Sequence, residues 1–330
     1  MRIHIIFGSQ SPFCQWPTSN DFPLYWINLE ESWERRQEFS NYLQSIHLLH
    51  NSKRVNAINC KNKNSYHYNQ YIISATEPNE ECDYAVIGSH LSALYTAFVN
   101  QKKFHHPYAI ISEDDNRFIY CIDFAKLIAS APPDFAVLQI STSNIDSITN
   151  LWGNYVKNNS ETIWERRDYN KHWSAQAYIV NTRKIRKFLK TAVEMERRNA
   201  STFDYSLYPP QSLLSHCNSK KGLEWDSYDL RRMSPPSKIK FDQWHNDKCF
   251  VSFRFYVETY LYESMYPAYI SRLSLVVGSP QSKSSTLHPV HVEKFHGESF
   301  RKIVSIREEI KSNSSLKLPP FLLGYTEDKY

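Results

Sequence analysis

The sequence predicts an α/β fold in which strands and helices alternate. Two observations carry that prediction. Short apolar runs are repeatedly followed by stretches with helix-compatible apolar spacing, and one run, Tyr108–Ser112, is apolar almost throughout and is followed at once by Glu113, Asp114 and Asp115. A continuous apolar run is how a strand in the buried middle of a parallel sheet reads, because both of its faces are covered.

Arg2–Phe7 alternates as a short strand and Ser9–Asn20, rich in Ser, Pro and Asn, reads as a loop. Pro23–Leu29 is the next strand, and Glu30–His47 follows as a helix with Trp33, Phe39, Leu43 and Ile46 on its apolar side. Arg54–Asn59 reads as a strand. Lys61–Glu81 is polar and without period, so it is expected to be a long loop, either closing over a ligand or a plain surface insertion. Ser89, after Gly88, is placed to cap a helix through Leu91, Leu94, Tyr95, Phe98 and Val99 to Lys103. Beyond the acidic triplet, Phe118–Ile128 is expected to be a helix, Pro132–Pro133 a turn and Phe135–Ile140 a buried strand. Trp173–Val180 reads as a strand, and Arg183–Glu194 as a basic helix with Ile185, Phe188, Leu189 and Ala192 inward. Phe250–Tyr262 is strongly aromatic, Leu273–Gly278 is a short strand, Glu298–Lys311 is an amphipathic helix, and the residues after it read as an extended end with little order.

Composition narrows the function. A net charge of +5 over 330 residues, with both signs interleaved, lacks the concentrated basic stripe that nucleic acid requires, so no nucleic-acid partner is expected. Cys14, Cys60, Cys82, Cys121, Cys217 and Cys249 form no close pair of the kind a zinc or redox motif needs; they are expected to be buried or idle thiols in a reducing compartment. Met1–Gly8 is too short for a spanning helix and has no cleavage site, which makes a cytoplasmic protein without a transmembrane segment the expectation and leaves peripheral membrane association open.

The acidic triplet carries the chemistry. In open α/β sheets ligands bind beyond the carboxyl ends of strands, so carboxylates there face a crevice. Alternate side chains share a face, which points Glu113 and Asp115 one way and Asp114 another. A nucleotide diphosphate leaving a sugar gathers negative charge, and a divalent ion such as Mn2+ or Mg2+, which prefers oxygen ligands, stabilises it. Asp115 is assigned to the metal, Glu113 to the metal or its water, and Asp114 to a ribose or sugar hydroxyl.

Four blocks in order resemble glycosyltransferase family 25, which includes bacterial lipooligosaccharide galactosyltransferases and procollagen galactosyltransferases. They are WINLEESWERRQEF (residues 26–39), IGSHLSALYTAF (87–98), YAIISEDDNRF (108–118) and WSAQAYIVNTRKIRKFL (173–189), with FDYSL (203–207) where an Asp-containing segment is expected. Glycines are sparser than in the family, Asn116 stands where an aliphatic residue is commoner, and the C-terminal third matches poorly.

The resemblance implies an A-type glycosyltransferase fold, a Rossmann-like mixed sheet flanked by helices, with residues 1–21 as an N-terminal strand and loop, 22–297 as the transferase domain and 298–330 as a C-terminal helix and tail. It also implies an inverting, divalent-metal-dependent transfer of a hexose, galactose or glucose, from a uridine diphosphate (UDP) sugar to a glycan, glycoprotein or glycolipid hydroxyl. Inversion requires a general base within hydrogen-bond reach of that hydroxyl, and Asp204 is the candidate from its place in the chain. Arg35 is favoured over Arg36 as a diphosphate or base contact, Asn28 is expected to orient the nucleotide, and Ser89 at its helix start to approach phosphate. His90 is expected to pack or hydrogen-bond behind the site. Some A-type transferases complete the metal shell with a late histidine; of His288, His291 and His296, His288 is the candidate. Trp244, Tyr256, Tyr260 and Tyr262 read either as core or as sugar-stacking faces. A two-metal phosphohydrolase would need a further ligand set, which the sequence does not offer. The alternative that stays open is a non-catalytic carbohydrate-binding or interaction protein retaining the fold.

Overall fold

The computed structural model describes residues 16–17, 21–59, 78–158, 162–168, 171–186, 188–189, 258, 261–262, 265–278, 296–316 and 318–326. The readings placed on Arg2–Phe7, Phe203–Leu207 and Thr286–His291 lie outside these residues, as do Asp204 and His288.

A mixed seven-stranded sheet flanked by helices forms the centre. Its strands are β1 (Leu24–Asn28), β2 (Ser52–Asn56), β3 (Tyr108–Glu113), β6 (Val137–Gln139), β7 (Trp164–Arg166), β8 (Ala177–Asn181) and β9 (Ala268–Ser271), in the order β2-β1-β3-β8-β6-β9-β7. β1 runs parallel to β2 and β3, and β6 parallel to β9, while β8 is antiparallel to both β3 and β6. The carboxyl ends of β1, β3, β6 and β9 therefore share one edge with the amino end of β8.

Both faces of the sheet's centre are covered, which is why β1, β3, β6 and β8 lack polar alternation, while the edge strands β2 and β7 are polar and more exposed. Leu24, Trp26, Ile110, Leu138 and Ile179 face one core with Phe39 and Leu43 of α1 (Trp33–Ser45). Tyr25, Ile27, Ala109, Ile111, Tyr178 and Val180 face the other with Ile87, Leu91 and Leu94 of α2 (Pro78–Asn100). Each such side chain contributes about 1.5–3 kcal/mol on burial.

α2 corrects two expectations. It begins at Pro78, inside the stretch expected to be a loop, and Ser89 lies well within it rather than at its start. Proline suits a first helical turn because its missing N–H has no intrahelical partner there. α3 (Phe124–Ala129) is capped by Asp123, which accepts from the Lys126 N–H at 3.1 Å. α4 (Ile145–Lys157) is capped by Asn144 and buries Ile148, Leu151, Trp152 and Tyr155 at helical spacing.

Of the helix expected over Phe118–Ile128, only the second half forms, as α3, and the first half is extended. β4 (Asn116–Phe118) pairs with β10 (Val276–Gly278), and β5 (Tyr120–Ile122) pairs with β11 (Leu322–Tyr325). The expected loose end thus supplies a strand. α5 (Glu298–Ser312) buries Ile303, Ile306 and Ile310 against the first core. Cys121 is fully buried, as expected, and is disulfide-bonded rather than an idle thiol. No helix among the described residues is long and apolar enough to cross a membrane.

Candidate active site at the carboxyl edge of the sheet

β3 ends at Glu113, and Asp114 and Asp115 form the turn into β4. Asn116 secures that turn. Its buried amide nitrogen donates to Gln176 O at 2.7 Å, Glu113 O at 3.2 Å and Ser112 Oγ at 3.2 Å, while Glu113 N donates to Gln176 O at 2.8 Å. An aliphatic side chain at position 116 would forfeit all three of its bonds.

The three carboxyls have different surroundings. Asp114, buried, faces β1 and α1: Arg35 Nη2 lies 3.0 Å from its Oδ1, and Asn28 Nδ2 donates to its Oδ2 at 2.5 Å. Burial, reinforced by the charge of Asp115, pushes the Asp114 carboxyl up to about 6 against the pull of Arg35 and Asn28. Glu113, half-buried, lies 3.4 Å from Nε2 of the fully buried His90. Burial raises the Glu113 carboxyl, but the hydrogen bond and charge of His90, with His296 and Arg35, outweigh it and hold the group below its ordinary value. Burial and then the charge of Glu113 push the Asp115 carboxyl up, with Arg35 and His296 opposing. Glu113 and Asp115 thus repel each other in a common setting, and Asp114 turns to the arginine.

Arg35 and Arg36 divide as α1 leaves β1. Arg36 turns to Glu30, 3.2 Å away, where Arg54 Nη2 also lies 2.9 Å from the other carboxylate oxygen. The hydrogen bond and charge of Arg54, then Arg36, hold the exposed Glu30 carboxyl below its ordinary value. Asn28 is spent within the protein: its Oδ1 accepts from Arg54 Nε at 2.8 Å and from Arg36 Nε at 3.3 Å, and its Nδ2 donates to Asp114 and to Ser32 O. Asn28, expected to orient the nucleotide, holds Asp114 in place here. Ser89 is equally spent, with Oγ donating to Ala85 O at 2.6 Å and accepting from Ile58 N at 2.8 Å, so the expected approach of a helix start to phosphate is corrected.

Behind Glu113 stands a buried polar column. His90 Nδ1 lies 3.2 Å from the Tyr178 hydroxyl, the Tyr178 ring meets Tyr262 edge-on, and Tyr262 donates to Ser174 O at 3.2 Å. Burial first, and then nearby negative charge, pushes both phenols well above the usual range, so they remain neutral donors. Arg167, also buried, lies 4.7 Å from the Tyr262 ring centre and donates to Gln139 Oε1 at 3.0 Å and His172 O at 2.8 Å. Tyr262, read from sequence as core or sugar-stacking, is core.

Two residues that the sequence reading did not single out belong to this edge. Glu258 is half-buried; burial raises its carboxyl, opposed by Arg167 and a backbone hydrogen bond from Ser174 and reinforced by Glu113. Ser174 adopts φ 90°, which side-chain-bearing residues rarely take, and its carbonyl accepts from Gln139 Nε2 at 3.1 Å as well as from Tyr262. The turn carries Trp173, which is 40% exposed. A lone Glu and a lone Ser carry no motif, so no spacing announced them.

Of the late histidines, His296 is the one that the described residues bring to the cluster. Its charge acts on both Glu113 and Asp115, and its Nδ1 lies 3.0 Å from Gln176 Nε2. Gly278 leaves room for that contact, since a β-carbon there would stand 2.9 Å from Gln176 Nε2.

Among the described residues no three carboxylate, imidazole or thiol groups stand close enough to hold an ion by themselves. The donor set nevertheless suits a hard cation that takes its remaining ligands from phosphate and water: two mutually repelling carboxyls, Glu113 and Asp115, would be relieved by positive charge between them. No protein-family model matches the chain, and no curated protein sequence matches it either.

Proposed function

We propose that this chain is a divalent-metal-dependent, inverting hexosyltransferase of the A-type fold, similar to glycosyltransferase family 25, using a UDP-sugar and a glycan, glycoprotein or glycolipid hydroxyl. One observation carries the reading. Three carboxyls in succession, one ending a central strand and two in the turn after it, stand at the carboxyl edge of the sheet, with an arginine from the first strand–helix unit 3.0 Å from one of them. The mixed sheet with helices on its faces supports the fold assignment, and the four ordered sequence blocks support the family likeness.

In this reading Glu113 and Asp115 would hold Mn2+ or Mg2+, with the remaining ligands from phosphate and water, and His296 would face the ion through such a water. The ion, when bound, supplies positive charge to the departing diphosphate. Arg35, already compensated by Asp114, adds a guanidinium that can fork onto a phosphate. The acceptor oxygen attacks the anomeric carbon and the bond from that carbon to the diphosphate oxygen breaks, with its electron pair leaving on the diphosphate. The hydroxyl proton passes to a carboxylate base, for which Asp204 and Glu258 are the candidates. Trp173 offers an indole face against which an acceptor sugar packs.

The test is a screen of nucleotide sugars with purified protein and Mn2+, following release of nucleoside diphosphate with and without added sugar acceptors. Slow metal-dependent release from one donor is expected. Tight nucleotide binding with no release from any donor would favour a carbohydrate-binding relic, and neither binding nor release would end the proposal.

A further inference from the structure

A second concavity lies at the opposite edge of the sheet, where β3 begins and β8 ends. It has a volume of about 640 Å3, and its lining includes Lys102, Arg183 and Arg186 with Phe98, Phe104 and Pro107. Among the described residues that line it none is acidic. All three cations are exposed, and none of them makes a side-chain hydrogen bond or ion pair among the described residues. By contrast, Arg54, Lys126, Lys171, Arg272 and Lys311 each meet a carboxylate.

Like charges gathered around one hollow repel one another, and an anion seated among them removes that cost while gaining three attractions. The carboxyl-terminal end of α2, at Asn100, presents carbonyl dipoles that oppose an anion, but this contribution is smaller than that of three full charges and fades within a turn. The aromatic and proline walls suit a ligand whose anionic group is joined to an apolar part. The hollow is also held in shape. Thr182 donates from its backbone nitrogen to Pro107 O at 2.7 Å, and its hydroxyl lies 2.8 Å from the same carbonyl and 2.9 Å from Gln101 Oε1. That brace fixes the start of the Arg183–Arg186 turn against the segment carrying Lys102 and Phe104.

We propose that this hollow binds a phosphate-bearing ligand, in a site separate from the acidic edge and independent of the function assigned there. The six residues of β3 set the two edges roughly 20 Å apart at the usual rise of about 3.3 Å per strand residue, so one small molecule cannot occupy both. A phosphate ester with an apolar tail, such as an anionic lipid headgroup, and a free inorganic polyphosphate share the chemistry that the site recognises.

The experiment uses the full chain in EDTA at low ionic strength, with two probes: inorganic pyrophosphate by calorimetry, and vesicles of phosphatidylglycerol against phosphatidylcholine by flotation. Binding to pyrophosphate, to phosphatidylglycerol vesicles or to both is expected. It should weaken at least ten-fold in the R183Q/R186Q double variant and as salt is raised to several hundred millimolar. It should persist in D115N, which alters only the acidic edge. Which probe binds names the source of the phosphate. Absence of binding to both probes, unchanged binding in the double variant, or loss in D115N would each overturn the proposal. Should the double variant not fold by circular dichroism, K102Q, at an exposed position in the same lining, replaces it under the same criteria.

Discussion

Gln176 Nε2 and His296 Nδ1 lie 3.0 Å apart, joining the residue just before β8 to a residue two positions before α5. With the amide nitrogen toward the ring, Nδ1 accepts and the ring proton sits on Nε2; with the amide turned over, Nδ1–H donates to the carbonyl oxygen and Nε2 is free to ligate. A cation held by Glu113 and Asp115 would favour the second arrangement, in which Nε2 accepts from a water on the ion.

Gly278→Ala disturbs that contact without touching a carboxylate, because the new methyl would press on the Gln176 amide at 2.9 Å. We expect Mn2+ affinity to fall several-fold while the far-ultraviolet circular dichroism spectrum is unchanged. Unaltered Mn2+ affinity by paramagnetic resonance would leave His296 no part in holding the ion.

Asp115→Asn is expected to abolish metal-dependent UDP binding, a loss of at least a hundred-fold, and to leave the fold intact. The variant should not lose stability near neutral pH, since it removes a carboxyl that burial and Glu113 already disfavour in its charged form. Calorimetry with UDP and Mn2+ checks the first part and thermal melting the second.

Asp114 sets a pH dependence of stability. Its carboxyl stands at about 6 against an ordinary 3.8, so the folded protein holds this proton more tightly than the unfolded chain. The contribution is complete below about pH 4 and is lost as pH rises through about 6, on the order of 3 kcal/mol in all at 1.36 kcal/mol per unit. Asp114→Asn does not titrate there, so the stability of the wild type relative to this variant should decline between pH 4 and 7. Denaturant melts of both proteins across that range would show a constant difference if Asp114 carries no such shift.

Glu258 and Asp204 compete for the role of general base. Glu258→Gln is expected to spare donor binding and lower transfer by about 10²–10⁴-fold, and to remove the acidic limb of the rate profile if Glu258 is the base. The limb and the rate should instead respond to Asp204→Asn if the base lies there. Full transfer in both variants would return the assignment to neither.

Ser174 holds φ 90° with its carbonyl pinned by Gln139 and Tyr262. Ser174→Gly should be tolerated, because glycine takes that backbone geometry at little cost and the side chain contributes only a contact with Gln176 N at 3.2 Å. Ser174→Val should destabilise by about 1–3 kcal/mol and misplace Trp173, raising the KM for acceptor more than for donor.

Much of the sheet was legible because its signals are local. The runs at Leu24–Asn28 and Tyr108–Glu113 announce buried strands, and the acidic turn follows the second directly. The end of β4 and all of β5 read as helix because each strand is only three residues long and finds its partner far down the chain, at Val276–Gly278 and Leu322–Tyr325. Local spacing cannot report such pairing. The signal for α4 was present in Ile148, Leu151, Trp152 and Tyr155 and went unread. At the site, the carboxylates and Arg35 came from a motif and its neighbours, whereas His296 could not be told from His288 and His291, since only the packing of Gly278 against Gln176 distinguishes it.

β6 lies between β8, which follows it closely in sequence, and β9, whose pairing matches Val137 with Ala268. Synthesis therefore exposes one flank of β6 until residue 268 and its neighbours have emerged, and such non-local closure is slow. A product truncated before Ala268 retains a hydrophobic strand with unsatisfied amides along that flank, ready to pair with another chain. Expression trials of shortened versions should accordingly yield inclusion bodies when the cut falls upstream of β9.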